Sequence, residues 1–212
     1  MREKGEKNMG RYVVQGLTDE SMLNMVLDAG AFFVDLDIDG GEASNEVADK
    51  IKAALLSGKC LGATSGGGTF NAVPEARQIE ADGMRYPIIG STVFDKWDVH
   101  LTGTLKEVTL GNMQKILPTS EVDETTNALK IRTALSKDDY IKSLWWVGNR
   151  NDDTYVLIQL HNAVNVAGAV ATFADKGEMT IPVDFRAHGS NLDEMEYAPF
   201  RWYFLGEPKE EA

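Results

Sequence analysis

The chain holds a single cysteine, Cys60, among 212 residues. One thiol excludes an intramolecular disulfide and a cysteine-based metal cluster within one chain. Long apolar runs are missing too: no window approaches the roughly 18–20 consecutive apolar residues of a spanning helix. The N-terminal MREKGEKNMGRY also lacks the apolar core of a signal peptide. The expectation is a protein made and kept in a cytoplasm unless it leaves inside a larger particle, with no membrane partner. Positive charge is scarce, 21 basic against 33 acidic residues for a net of −12, so long-range electrostatics oppose simple binding to nucleic acid or an anionic membrane. Only three histidines occur, His100, His161 and His188. Metal sites usually draw at least two ligands from close in sequence, and these lie 61 and 27 residues apart.

What remains is a chain able to fold on its own, since 43% hydrophobic residues suffice for a sizeable core. Its ends differ in sign. Residues 1–11 carry a net of +2 and residues 193–212 a net of −4, either solvated tails or oppositely charged arms that let copies recognise each other. Between an N-terminal arm (1–20) and an acidic C-terminal tail (206–212), residues 21–205 read as one mostly-β (α+β) domain, a sandwich or barrel with two helices packed on it. Residues 22–38 form two apolar runs broken at Asp28–Gly30, which predicts a hairpin. In residues 42–57, Val47, Ile51, Ala54 and Leu55 recur at helical spacing. Glu46 and Lys50 there make an i,i+4 pair, and Gly58 stands as the residue after the helix. Thr109 caps a second helix bearing Leu110, Met113, Ile116 and Leu117, which Pro118 ends. Short strands are expected at 128–135, 142–147, 154–160, 164–171, 179–188 and 200–205. Turns at 148–153, His161-Asn162 and 175–177 separate them.

The stretch from 62 to 117 carries most information. GATSGGGTF comes close to a phosphate-binding loop, but Gly68 stands where its lysine should be and strand signals follow. The glycines therefore read as a hinge permitting positive φ, Ser65, Gly66, Gly67 and Gly68, from which a long loop (65–86) is released. Behind it, residues 93–105 alternate: Val93, Trp97, Val99, Leu101 and Leu105 on one face, Lys96, Asp98, His100, Thr102 and Thr104 on the other. Asp35, Asp37 and Asp39 lack the closing glutamate of a calcium loop, and Ser65 stands outside any nucleophile elbow. No convergent catalytic set is visible, so no catalytic, cofactor or metal residue is assigned and an enzyme is not expected. The pairs Trp145-Trp146 and Trp202-Tyr203-Phe204 each put one member toward a core and a neighbour toward a contact. Trp146 and Tyr203 are the interface candidates.

Four passages resemble the major tail proteins, or tail tube proteins, of long-tailed bacteriophages with noncontractile tails. They are LGATSGGGTF with its loop PEARQIEADG, DVHLTGTLKEVTLGNMQKIL, TIPVDFRAHG and APFRWYFL. The resemblance spans roughly residues 22–205, with the helix at 42–57 as an insertion foreign to the family. It implies a virion structural protein whose β-sandwich closes into hexameric rings that stack into a tail tube. Its partners would be further copies of itself, with tape-measure, tail-terminator and baseplate or distal tail proteins, and genomic DNA passing through without specific binding. The long loop, with Ser65, Gly66, Gly67, Gly68, Arg77 and Arg85, would bridge rings together with the terminal arms. Asp98, His100, Thr102 and Thr104 would face the lumen, where an acidic wall would repel DNA. The competing expectation is a β-sandwich module that binds carbohydrate through Trp145, Trp146 or Trp202, or binds protein.

Overall fold

The computed structural model describes residues 16–205 other than 19, 27, 174 and 191–195. Residues 1–15 of the N-terminal arm and the acidic tail 206–212 lie outside the described residues. The chain runs β1 (Ala31–Val34), α1 (Ser44–Leu56), β2 (Thr64–Gln78), β3 (Thr92–Leu105), α2 (Leu110–Ile116), β4 (Ser120–Asp123) and β5 (Ala128–Ile131). A 3-10 turn at Lys137–Asp139 then leads into β6 (Ile141–Asn149), β7 (Tyr155–Asn165), β8 (Ile181–Arg186) and β9 (Phe200–Leu205). The fold is mostly β, with two helices packed on it.

Two antiparallel layers face each other. One has β6 between β1 and β7, with β9 on the far side of β7. The other has β3 between β8 and β2. Strand β7 belongs to both: residues 155–160 pair with β9, and then Val164 and Asn165 pair with β8. Between them Asn162 takes the left-handed conformation, φ 46°, and its Nδ2 donates to the carbonyl of His188 and to Ser190 Oγ. His161-Asn162 is therefore a corner inside one strand rather than a turn between two, because the asparagine's own hydrogen bonds stabilise the bend without ending the ladder. The separate strand expected at 164–171 is correspondingly absent, its first two residues being the end of β7.

The first layer is buried on both sides. Phe32, Val34, Leu144, Ile158 and Leu160 point into the sandwich against Val99, Leu101, Leu105, Val183 and Phe185. Phe33, Trp145, Val147, Leu157 and Leu205 point the other way, under Val47 and Ala54 of α1. That is why FFV, LWW and VLI are continuous apolar runs, whereas β3, covered on one face only, alternates. Where Phe32 crosses β3 the sequence has Gly103: a side chain there would place its first carbon 2.7 Å from the Phe32 ring. Helix α2 closes an end of the sandwich with Ile116. Its predicted cap is found, Thr109 Oγ1 accepting the Asn112 amide at 3.1 Å.

Three expectations need correction. The apolar run 22–38 is no hairpin. Only Ala31–Val34 becomes a strand, and it pairs with β6, because two-sided burial in a long-range sheet outweighs a local turn signal. The short hairpin β4-β5 supplies a strand, Ser120–Asp123, where none was expected, while the strand expected at 128–135 stops at Ile131. Helix α1 lies within the expected 42–57 and is followed by Gly58, φ 71°, but Leu55 of its expected apolar face is exposed and Lys50 reaches back to Glu42 at 2.8 Å instead of pairing with Glu46. Glu42 also accepts the amides of Asp39, Gly40 and Gly41. One carboxylate thus gathers the loop entering the helix, the arrangement that helix N-termini favour.

Burial pushes the Glu42 carboxyl up, but the bonds from Lys50 and the backbone amides outweigh it and hold the group at about 2, below its ordinary 4.5. A depressed value means the contribution is fully present above about pH 4.5 and lost as pH falls toward 2. Glu42→Gln is expected to cost about 1–2 kcal/mol at neutral pH and to flatten the acid limb of the stability curve, checked by urea melts across pH. Gly103→Val, despite its better strand propensity, is expected to destabilise by about 1–3 kcal/mol because the Phe32 ring cannot be displaced cheaply. The same melts measure it.

Candidate functional site

The feature that most distinguishes this fold is a mismatch in strand length. Strand β8 pairs with β3 only from His100 to Leu105, whereas β2 follows β3 all the way to the Gln78–Thr92 pair. The outer half of the β2-β3 hairpin therefore stands beyond β8 as a two-stranded arm, roughly 20 Å long at ~3.3 Å per residue. Cross-strand pairs hold it together: Arg77 grips Asp95 with two bonds of 3.0 Å, and Lys96 meets Glu75 at 2.7 Å. The Arg77 guanidinium holds the Asp95 carboxyl below the usual range, and Glu75 raises the Lys96 ammonium.

At the tip the Ile79 amide bonds the Ser91 carbonyl at 2.7 Å, closing a loop over residues 80–90. Ser91 is buried there, donating to the Ile88 carbonyl at 2.8 Å. The loop's larger apolar residues are not buried: Tyr86, Ile88 and Ile89 point outward, Ile89 fully.

This geometry corrects the loop expected at 65–86. Residues 64–78 are strand, and only the second part of the stretch is loop. Ser65, Gly66 and Gly67 form a bulge between the Thr64–Leu105 and Gly68–Gly103 pairs, with φ of 73° and 74° at the two glycines. Gly68 lies so close to the Thr102 carbonyl that a side-chain carbon would sit 2.4 Å from its oxygen. The glycines thus bend and close-pack a continuous strand at the root of the arm. Arg77 is locked in the arm's ladder, and only Arg85 of the predicted loop residues stands in the tip loop.

Asp98, His100, Thr102 and Thr104 do share the outer face of β3, opposite the buried Val99, Leu101 and Leu105. The structure brings the first two into a network with β8. His100 Nδ1 lies 2.7 Å from Asp184, His100 Nε2 lies 3.1 Å from Asp98, and Arg186 reaches Asp98 at 2.8 Å. Thr102 Oγ1 donates to the Thr69 carbonyl at 3.3 Å. Burial pushes the Asp98 carboxyl up, but His100 and Arg186 more than reverse this and hold it below the ordinary range. The carboxylates of this face are paired, so it is a hydrated polar surface more than a strongly negative one.

The aromatic assignments change as well. Trp145 is buried. Trp146 is half-buried, its Nε1 donating to the Ala29 carbonyl at 3.2 Å over a floor made by Gly30 and Gly148. Tyr203 turns inward: its ring lies 5.3 Å from that of Trp145 and its hydroxyl donates to Gln159 at 2.9 Å. The exposed aromatics of β9 are its neighbours Trp202 and Phe204. Parity along β9 could have separated the two sets, but sequence alone left open which face helix α1 covers. Of Trp145, Trp146 or Trp202 as a glycan contact, only Trp202 is exposed.

Among the described residues, no group of three or more His, Cys, Asp or Glu side chains is arranged to hold a metal ion. No helix among them is long and apolar enough to cross a membrane. Cys60, half-buried beside Phe33, has its thiol pushed up by burial. No known protein family matches the chain, and no curated protein does so either. For the polar network the expected outcome is that Arg186→Ala moves the Asp98 carboxyl upward toward the ordinary carboxylate range, as followed by NMR titration, while the protein stays folded.

Proposed function

We propose that this chain is a structural virion protein that assembles with copies of itself into stacked rings, hexameric as the sequence resemblance implies, forming a phage tail tube through which DNA passes. The observation that carries the reading is the arm. A two-stranded ribbon in water is marginal by itself, yet this one extends past β8, carries two cross-strand ion pairs and ends in an apolar, outward-facing loop. An extended arm with an apolar tip has little use on a monomer and an evident one in a stack, where it would reach the next ring. In the stack the tape-measure, tail-terminator and baseplate proteins would be the further partners, and the virion the protein's place.

The polar face of β3 and β8 supports the reading in a modified form. A lumen wall need only avoid adhering to DNA, and paired carboxylates with threonine hydroxyls offer a hydrated surface without free cations to release counterions. The chain's net charge of −12 adds long-range repulsion wherever its unpaired acids lie.

Electron microscopy of the concentrated protein tests the proposal: hollow tubes with a regular axial repeat are expected, and compact particles at every concentration would sink it. Since Ile79 and Ser91 close the tip as a hydrogen-bonded pair, residues 80–90 can be replaced by Asn-Gly, the two-residue loop that suits such a pair. That variant should melt like the parent and fail to stack, whereas normal tubes from it would remove the arm's assigned role.

A further inference from the structure

Where the arm leaves the body, six rings form one continuous row. Phe94 lies 5.8 Å from Trp97, Trp97 6.5 Å from Phe200, and Phe200 5.2 Å from Phe70. Phe70 in turn lies 5.4 Å from Trp202, which stacks 6.1 Å from Phe204. The row joins the two layers, β2 and β3 on one side and β9 on the other. Its middle is covered and its ends are open: Phe94 is 56%, Trp97 43%, Trp202 49% and Phe204 54% exposed. Four large rings about half exposed leave roughly 400 Å² of apolar surface divided between the two ends, within the ~300–600 Å² of a typical monomer's largest and often functional patch. That is about half of the ~800 Å² each partner gives to a standard interface.

The strand that bears one end of the row is also an open edge. Among the described residues β9 pairs with β7 alone. Its sequence FRWYFL has one charge and neither proline nor glycine, the kind of edge that recruits another strand. The edge at the other margin, β2, is guarded by contrast, with the bulge at Ser65–Gly67 and Pro74 in its middle.

We propose that the aromatic row and the free edge of β9 form one docking surface, and that a second copy of this chain covers it. The proposal rests on the assembly reading above and assigns it a second contact, distinct from the tip of the arm. The assembly reading supplies a copy as occupant, and local charge permits it. Two chains of net −12 repel at long range, so like can meet like only where the surface is locally balanced. Around the row the charges are paired off, Arg77 with Asp95 and Lys96 with Glu75.

Trp202→Glu and Phe204→Glu test this in the full chain, with Ile131→Glu, at 53% exposure outside the row, as control. Because the target rings are about half exposed, the variants should lose no more than a few degrees of Tm and stay folded at the assay temperature. The expected result is a critical concentration for assembly raised roughly tenfold or more in the two row variants and unchanged in the control. Tryptophan emission of the parent should shift to shorter wavelength on assembly. Tubes formed by Trp202→Glu at the parent's critical concentration would overturn the docking surface and leave the tube reading standing. Non-tubular oligomers of the parent that dissolve in Trp202→Glu would do the reverse. A parent that stays monomeric at every concentration, or a saturable quench by soluble oligosaccharides that Trp202→Glu abolishes without any change in oligomeric state, would overturn it as well.

Discussion

A fourteen-residue strand lies beside a six-residue one, and much of this structure follows from that inequality. Strand β3 gives its second half to β8 and must find other cover for the first. Strand β2 supplies the backbone partner, but among the described residues no strand lies beyond it to widen the sheet. What shields the inner face is β9 in the opposite layer, through Phe200 against Trp97 and Phe70. Since β9 is itself an edge, the shield is incomplete, and the aromatic row is left half open at both ends. The direction of the arm is set lower down, at the glycine bulge, where backbone conformations with positive φ add bend and twist to β2 before it leaves the body.

The parts legible in the sequence were those whose cause is local or one-sided. Helix α1 and its Gly58, the Thr109 cap and the inward set Val99, Leu101 and Leu105 all follow from periodicity and capping chemistry. What was not legible depends on long-range cover. The FFV run reads the same whether it pairs with the residues before it or, as it does, with β6 across more than a hundred positions. The choice between Tyr203 and its neighbours turns on helix α1 occupying one particular side of β9. The glycine stretch was recognised as a place needing positive φ, but a hinge and a bulge make the same local demand. Only pairing with Gly103 and Leu105 decides between them.

Electrostatics and adhesion act on different parts of the surface. The chain is strongly acidic overall, and self-association against such repulsion requires apolar contact in places where charge is balanced. The arm meets that requirement because each of its two central cations faces a carboxylate across the ladder. Exposed pairs of this kind contribute only about 0–1 kcal/mol each to stability. Their larger effect is to cancel the field at the root of a sticky element, leaving dispersion and burial to determine what binds.

Left-handed backbone falls where strands end, turn or bend. Among the described residues, the non-glycine positions with positive φ are Asp35, Asn127, Asp153, Asn162 and Lys176. The first ends β1, the next two lie in hairpin turns, Lys176 lies in the turn before β8, and Asn162 makes the corner of β7. Each of these residues ends, turns or bends a strand. The corner at Asn162 matters most among them. By passing β7 from one layer to the other it brings β8, and through β8 the polar face of β3, into a fixed relation with β9. The hydrated face and the aromatic row are thereby held on opposite sides of the same β3 strand, so that a neighbour packed against the row would leave the polar face uncovered.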